Sequence, residues 1–284
     1  MNTTASFTTL ITAEELAARL GHEPRTIILD ASFDLGDVAA GERSHREAHI
    51  PGSLYVHLDR DLCAPKNGRN GRHPLPDRAG FARTAGTFGI TPETQVVTLD
   101  RQAGMYAARL WWMLRWLGHP AVAVLDGGLA AWTAAGGRSA SGVETVTPAP
   151  PYPERPSLAG LVDAGELARR LGRSVVLDAR SPERFRGDKE PIDAVAGHIP
   201  GALNRFHAAN LVAGRFKPAD ELKRELVAAI GGRDARDVIH SCGSGVTACH
   251  NLLAMEHAGL SGSLLYPGSW SEWSSEPTRA IARG

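Results

Sequence analysis

The chain has 284 residues, 43% of them hydrophobic, and its 31 basic and 31 acidic residues leave a formal net charge of zero. That is enough chain and enough apolar surface for two ordinary domains, and the balanced charge argues against nucleic acid or an anionic membrane as partner. Three cysteines are too few for a disulfide framework, no apolar run reaches the roughly 18 residues of a membrane span, and the first residues lack a charged region followed by an apolar one, so a reducing, cytoplasmic setting is expected.

Thr12-Ala13-Glu14-Glu15 reads as a capping box that opens a helix through Leu20. Thr26–Asp30 reads as a short buried strand ending in an acid, followed by a polar stretch and His49-Ile50-Pro51-Gly52-Ser53. Residues 59–77 are rich in Gly, Pro, Arg and Asn and read as a long loop, a length that is often functional inside a compact domain. Gln95–Leu99 is a second strand, met by Asp100; Met105–Leu117 has helical periodicity; Val122–Asp126 is a third strand, followed by Gly127–Trp132. Ser, Thr, Ala and Pro then crowd residues 139–157 without periodicity, a linker composition.

After the linker the pattern starts again. Asp163-Ala164-Gly165-Glu166 caps a helix to Leu171, Ser174–Asp178 mirrors Thr26–Asp30, and His198-Ile199-Pro200-Gly201-Ala202 mirrors His49–Ser53. Val238–Ser241 mirrors Val96–Leu99, Val246–Ala258 mirrors Met105–Leu117, and Gly268–Trp273 mirrors Gly127–Trp132. The chain therefore reads as a duplicated α/β unit, with domains at 1–141 and 158–284 joined by 142–157. Strands alternating with helices predict a parallel sheet covered on both faces in each copy.

Residues 237–248, Asp-Val-Ile-His-Ser-Cys-Gly-Ser-Gly-Val-Thr-Ala, place a thiol at the end of a strand, before a glycine loop and a helix. Gly243 and Gly245 let the backbone curl so that N–H groups face the sulfur, and the helix from Val246 adds the positive end of its dipole. Both suit a negatively charged sulfur. Cys242 is thus a candidate nucleophile that attacks a sulfur atom and holds it as a persulfide. The alternative is a structural cysteine, a common fate of a free thiol. The first copy carries Asp100 at this position, so one copy would do chemistry and the other support it. A cysteine phosphatase places an arginine six residues after its cysteine, where this chain has Ala248. A P-loop would need a lysine that Gly245-Val246-Thr247 lacks. Cys249 and His250 fall on the helix with no second ligand pair, so no metal is expected.

Four motifs carry a family resemblance: Cys-Gly-Ser-Gly-Val-Thr-Ala at 242–248, Gly-His-Ile-Pro-Gly-Ala at 197–202, Gly-Ser-Trp-Ser-Glu-Trp at 268–273 and Arg-Leu-Trp-Trp at 109–112. Over nearly its whole length the chain resembles the tandem-domain sulfurtransferases of the rhodanese superfamily. The resemblance implies an α/β chain of two tandem rhodanese-like domains, the second holding the catalytic cysteine. It implies transfer of a sulfane sulfur from a small anionic donor to a thiol, thioredoxin or cyanide, through a covalent Cys242 persulfide and with no further cofactor. Thiosulfate-using members resemble Cys-Arg-Lys-Gly-Val-Thr in this loop, cations that suit a dianion. Gly243 and Ser244 instead resemble the 3-mercaptopyruvate type. Thiosulfate remains the alternative donor, and a non-catalytic persulfide carrier the alternative of another class.

The mercaptopyruvate type is thought to relay a proton through Ser, His and Asp. By motif these are Ser244, His73 in His-Pro-Leu-Pro, and Asp61, with Asp59 next; His73 and Asp61 come from the first half and would have to reach the second. Arg184 matches an arginine that holds the donor's anionic end, and Gly243, Gly245, Val246 and Thr247 complete the donor-binding loop. A second family arginine, expected before Gly-His-Ile-Pro-Gly, is missing from 190–196, leaving Lys189, Arg186 or Arg205 to stand in. Trp270 and Trp273 would either wall the pocket or pack in the core. Asp178 and His198 recur in both halves, which points to structural roles.

Overall fold

The computed structural model describes residues 6–284. The chain groups into two units, one of Met1–Cys63 with Pro76–Leu158 and one of Ala64–Leu75 with Ala159–Gly284. Among the described residues no helix is long and apolar enough to cross a membrane.

The first unit is built on β1 (Leu10–Ile11), β2 (Thr26–Asp30), β3 (Leu54–Tyr55), β4 (Gln95–Leu99) and β5 (Val122–Leu125), in the order β1-β5-β4-β2-β3. All four pairings are parallel, with Ile28 beside Val97 and Val97 beside Ala123. Its helices are α1 (Ala13–Arg19), α2 (Ala40–Glu47), α3 (Leu58–Asp61), α4 (Arg78–Thr87), α5 (Ala107–Leu117) and α6 (Gly128–Ala134). Side chains alternate across the sheet. Ile28, Val97, Leu99, Ala123 and Leu125 pack under α1 and α6, against Leu16, Leu129 and Trp132. The opposite face, with Ile27, Leu29 and Val96, lies with α4 and α5, whose Phe81, Leu110, Trp111 and Leu114 are buried. The capping box at Thr12 forms in full.

The second unit repeats this plan. Its strands β6 (Gly160–Leu161), β7 (Val175–Asp178), β8 (Leu203–Asn204), β11 (Val238–Ser241) and β12 (Leu264–Leu265) run all parallel in the order β6-β12-β11-β7-β8; β9 (Leu211–Val212) and β10 (Arg215–Phe216) form a separate antiparallel hairpin. Its helices are α7 (Ala164–Arg170), α8 (Pro182–Arg186), α9 (Ala219–Ala229), α10 (Ala248–His257) and α11 (Ser269–Trp273). Each unit is a parallel sheet covered by helices on both faces, and the strand order is the same in the two copies. The repeated histidines do the same job in both: His49 pairs its backbone with Ala140, and His198 with Ala282, each tying down the segment that follows the last helix of its unit.

Residues 142–157 pack within the first unit. Ala149 and Tyr152 donate N–H bonds to Gly86 and Ala82, and Gly86 permits this because a Cβ there would stand 2.6 Å from the Pro150 carbonyl. Tyr152 is buried with its hydroxyl 3.0 Å from His119 Nδ1. A strap held by backbone bonds needs no apolar periodicity, so its composition alone reads as linker.

In both copies the helix after the central strand starts two residues later than its periodicity predicts, at Ala107 and at Ala248. The first copy shows the reason. Asp100 is 1% exposed, and its carboxylate accepts N–H bonds from Gln102, Gly104, Tyr106 and Ala107 at 2.7–2.8 Å. Burial pushes this carboxyl up, against the four N–H donors that pull it down. The backbone curls around an anionic group before it settles into a helix. Asp100→Asn keeps the shape but turns an amide donor toward Tyr106 and Ala107 N–H; a loss of about 3 kcal/mol is expected in urea unfolding, and an unchanged midpoint would remove this carboxylate from the account.

Each copy also buries a neutral histidine. Burial lowers His119 to about 4 and His240 to about 3. Unfolding restores their ordinary affinity for a proton, so stability is full above about pH 6.5 and falls by about 1.4 kcal/mol per pH unit for each ring as pH drops toward the folded values. Urea midpoints between pH 7 and pH 5 should show this slope, and His240→Leu should remove the His240 share and leave that of His119.

Candidate active site

Cys242 is the first residue after β11, and its side chain is buried. The loop runs from Cys242 to Thr247 and curls back so that the Gly245 N–H donates to Cys242 Sγ at 3.1 Å. Gly245 has φ +75°, and a Cβ there would stand 2.2 Å from the Pro267 carbonyl, so the curl requires glycine twice over. Cys249 donates its thiol to the Gly245 carbonyl from inside α10, a core residue rather than a metal ligand. Among the described residues no group of three or more His, Cys, Asp and Glu side chains is arranged to hold a metal.

The Gly-Ser-Trp-Ser segment at the start of α11 braces the loop. The Cys242 N–H donates to Ser269 Oγ at 3.1 Å, Trp270 N–H to the Cys242 carbonyl at 3.0 Å, and Ser271 N–H to the Gly243 carbonyl at 2.9 Å. Ser269 is buried at φ +52°, an uncommon conformation for a residue with a side chain, and its hydroxyl also donates to the Tyr266 carbonyl. Trp270 and Trp273 are core residues, not pocket walls: both are buried, with indole N–H groups on the Val195 and Ala280 carbonyls.

Ala64–Leu75 belongs to this unit although it falls in the first half of the chain. It closes on itself through Ala64 N–H to the Pro74 carbonyl, and Asn67 and Asn70 bond each other's backbone. Gly71, at φ +83°, lets it approach the Gly268 carbonyl, and Arg72 N–H donates to Ser271 Oγ at 3.0 Å. This sets His73 in a buried position with Nδ1 2.8 Å from Ser244 Oγ. The structure thus brings Cys242, Ser244 and His73 into one loop cluster. Asp61 is instead part of α3 in the first unit, where its carboxylate accepts the His57 N–H at 2.7 Å and faces Arg60; Asp59 lies in the same short helix.

A chain of ion pairs flanks the loop. Arg180 grips Asp178 and reaches Glu190 at 3.4 Å; Arg184 holds Glu190 at 2.7 Å and Asp193 at 3.1 Å; Asp193 also meets Arg72. Arg180 stacks over the Trp270 ring at 5.0 Å. Burial opposes the charge on Glu190, but the Arg184 fork and the N–H groups of Asp193 and Ile192 hold its carboxyl below the ordinary value. Asp193 is pushed up by burial despite Arg72 and Arg184. Asp178 is buried, with its carboxylate held by Arg180.

Arg186 and Arg205, candidates for the missing second arginine, are engaged elsewhere, with Asp188 and with Glu225 and Asn210, and Lys189 is exposed. The second guanidinium beside the loop is Arg72. A Cβ on Gly243 would stand 2.9 Å from Arg72 Nη2 and 3.6 Å from both terminal nitrogens of Arg184. Its signal in the sequence is its position next to His73, more than 100 residues before the 190–196 segment. The uncharged Gly243-Ser244 pair therefore does not make an uncharged site: two other segments supply the cations.

A backbone-cradled thiol after the central strand of a parallel sheet, with a Ser–His pair and two guanidiniums beside it, in one of two duplicated units, defines a class of protein that handles sulfur as an anion. The family described as Rhodanese-like domain matches residues 12–135 and 163–276, and the chain belongs to it. It is 46% identical, over 97% of this chain and 98% of the other, to a protein of Pseudomonas aeruginosa named a probable 3-mercaptopyruvate sulfurtransferase. It is 39% identical, over 97% of each, to a Mycobacterium tuberculosis protein provisionally named a thiosulfate sulfurtransferase. The solved 3-mercaptopyruvate sulfurtransferase from Leishmania major matches with a TM-score of 0.83 at 29% identity, covering 94% of this chain and 74% of that one. The chain is a sulfurtransferase, moving sulfur from a donor to an acceptor thiol.

The two loop glycines should respond differently to a methyl group. Gly245→Ala meets fixed backbone and should lower the melting temperature by several degrees and abolish transfer. Gly243→Ala meets the movable end of Arg72 and should melt within about 2 °C of wild type. Equal melting temperatures for the two variants would count against the cradle geometry.

Proposed function

We propose that the chain takes sulfur from 3-mercaptopyruvate onto Cys242 and passes it to a thiol, thioredoxin or cyanide. The observation that carries this reading is the 2.8 Å contact between His73 Nδ1 and Ser244 Oγ, two residues from a buried, backbone-cradled Cys242. The Cys242 thiolate attacks the donor's thiol sulfur. The new S–S bond forms as the C–S bond breaks, and the bonding pair leaves with carbon as the enolate of pyruvate. The thiol proton, moved through Ser244 and His73, goes to that enolate, leaving pyruvate and a Cys242 persulfide. Attack of the acceptor on the outer sulfur then restores the Cys242 thiolate. Gly243, Gly245, Val246 and Thr247 form the wall around the transferred sulfur, with the Gly245 N–H as a donor to the negative charge. Arg184 holds the donor's carboxylate.

A covalent persulfide is the carrier, with no resident cofactor. The cytoplasm suits it, because a nucleophilic thiol needs a reducing compartment and Cys63, Cys242 and Cys249 form no disulfide. Thiosulfate is the second reading, favoured by the two guanidiniums flanking Gly243, which suit a dianion.

Cys242→Ser should abolish transfer from either donor, and substantial residual turnover would remove Cys242 as nucleophile. Ser244→Ala should lower kcat/KM for 3-mercaptopyruvate by about tenfold or more while thiosulfate, which has no proton to move, loses about threefold or less. Equal losses would argue against the relay. The ratio of kcat/KM for the two donors decides between the two readings.

A further inference from the structure

Where a second arginine is missing, at 190–196, this chain carries two carboxylates, Glu190 and Asp193. The Asp193 side chain is 6% exposed, and a carboxylate that deeply placed needs cations around it. It has two: one oxygen meets Arg72 Nη1, and the other lies 3.1 Å from Arg184 Nη2. Both guanidiniums flank Gly243, the neighbour of the nucleophile. A single carboxylate therefore spans two arginine forks at the mouth of the catalytic loop. That is the arrangement the carboxylate end of an α-keto acid would need. Arg72 is also incompletely used: its Nε is buried without a hydrogen-bond partner, whereas Arg184 places both Nε and Nη2 on Glu190.

We propose that Arg72 is the second donor-anchoring arginine and that Asp193 is a placeholder for the donor's carboxylate, holding Arg72 and Arg184 beside Gly243 until a donor displaces it. This rests on the anionic-donor reading above. The exchange swaps one carboxylate for another on the same cations, so no charge is left buried and unpaired at any stage. Glu190 keeps Arg184 and Arg180 in place when Asp193 turns away. An anion must outcompete an internal carboxylate to enter, which makes Asp193 a determinant of specificity as well as of affinity.

Arg72→Met and Asp193→Asn break the same ion pair, and this is what makes the test sharp. If the pair only braces the loop, both variants lower donor kcat/KM. The placeholder role moves it in opposite directions. With 3-mercaptopyruvate as donor and 2-mercaptoethanol as a neutral acceptor, Arg72→Met should lower donor kcat/KM about tenfold or more, leaving acceptor kcat/KM within about twofold. Arg72→Lys should recover part of the loss, since it keeps the charge but not the fork. Asp193→Asn should raise donor kcat/KM about threefold or more; should that variant not fold, Asp193→Ser carries the same expectation. Changes of the same sign, or an Arg72→Met enzyme within about twofold of wild type, would overturn the inference and leave the donor reading standing. Absence of turnover of either small anionic donor by the wild-type protein would instead overturn that reading, and the inference with it.

Discussion

Backbone N–H groups buried at the end of the central strand must meet an acceptor, and the rest of each unit is arranged around how that demand is answered. In the first unit the answer is the Asp100 carboxylate, which takes four N–H bonds and delays the start of α5. In the second it is the Cys242 sulfur, with Gly245 as donor and α10 delayed by the same two residues. The parallel sheet puts both loops at the carboxyl ends of their strands, where α/β folds hold ligands. One cradle is filled permanently by its own side chain. The other is filled by the Cys242 sulfur, the atom proposed to carry the transferred sulfur.

Most of the architecture was legible because each layer has its own period. The short apolar strand runs at β2, β4 and β5, the helix caps at Thr12 and Asp163, and the repeated His-Ile-Pro-Gly segments read directly as two copies of one α/β unit. The residues that escaped are those with no period to announce them. The two-residue strands β1 and β6 are too short to alternate, and the strap at 142–157 is held by backbone bonds. The helix starts moved because an anion claims N–H groups that periodicity assigns to the helix.

The candidate cluster was legible in type and partly illegible in place. Cys242, Ser244 and His73 stand together as their motifs implied, since each motif fixes a backbone geometry as well as a residue type. Asp61 falls in the other unit, where its carboxylate accepts the His57 N–H of a short helix. Charge was the weakest guide. Gly243 and Ser244 read as an uncharged loop, yet Gly243 is small because guanidiniums from Arg72 and Arg184 occupy the space a side chain would take. Electrostatics is summed over everything that folds to a point, and neighbours in the chain are a poor sample of that sum.

The membership of Ala64–Leu75 bears on how such a chain evolves. A duplicated gene begins as two interchangeable modules, each complete. Here the copy that kept the thiol draws Arg72 and His73 from a stretch encoded inside the copy that lost it. A cut at the obvious midpoint would separate Arg72 and His73 from the Cys242 loop they pack with. The half without the thiol thus donates a segment to its neighbour, and the boundary between the repeats in the chain is not the boundary between the units in space.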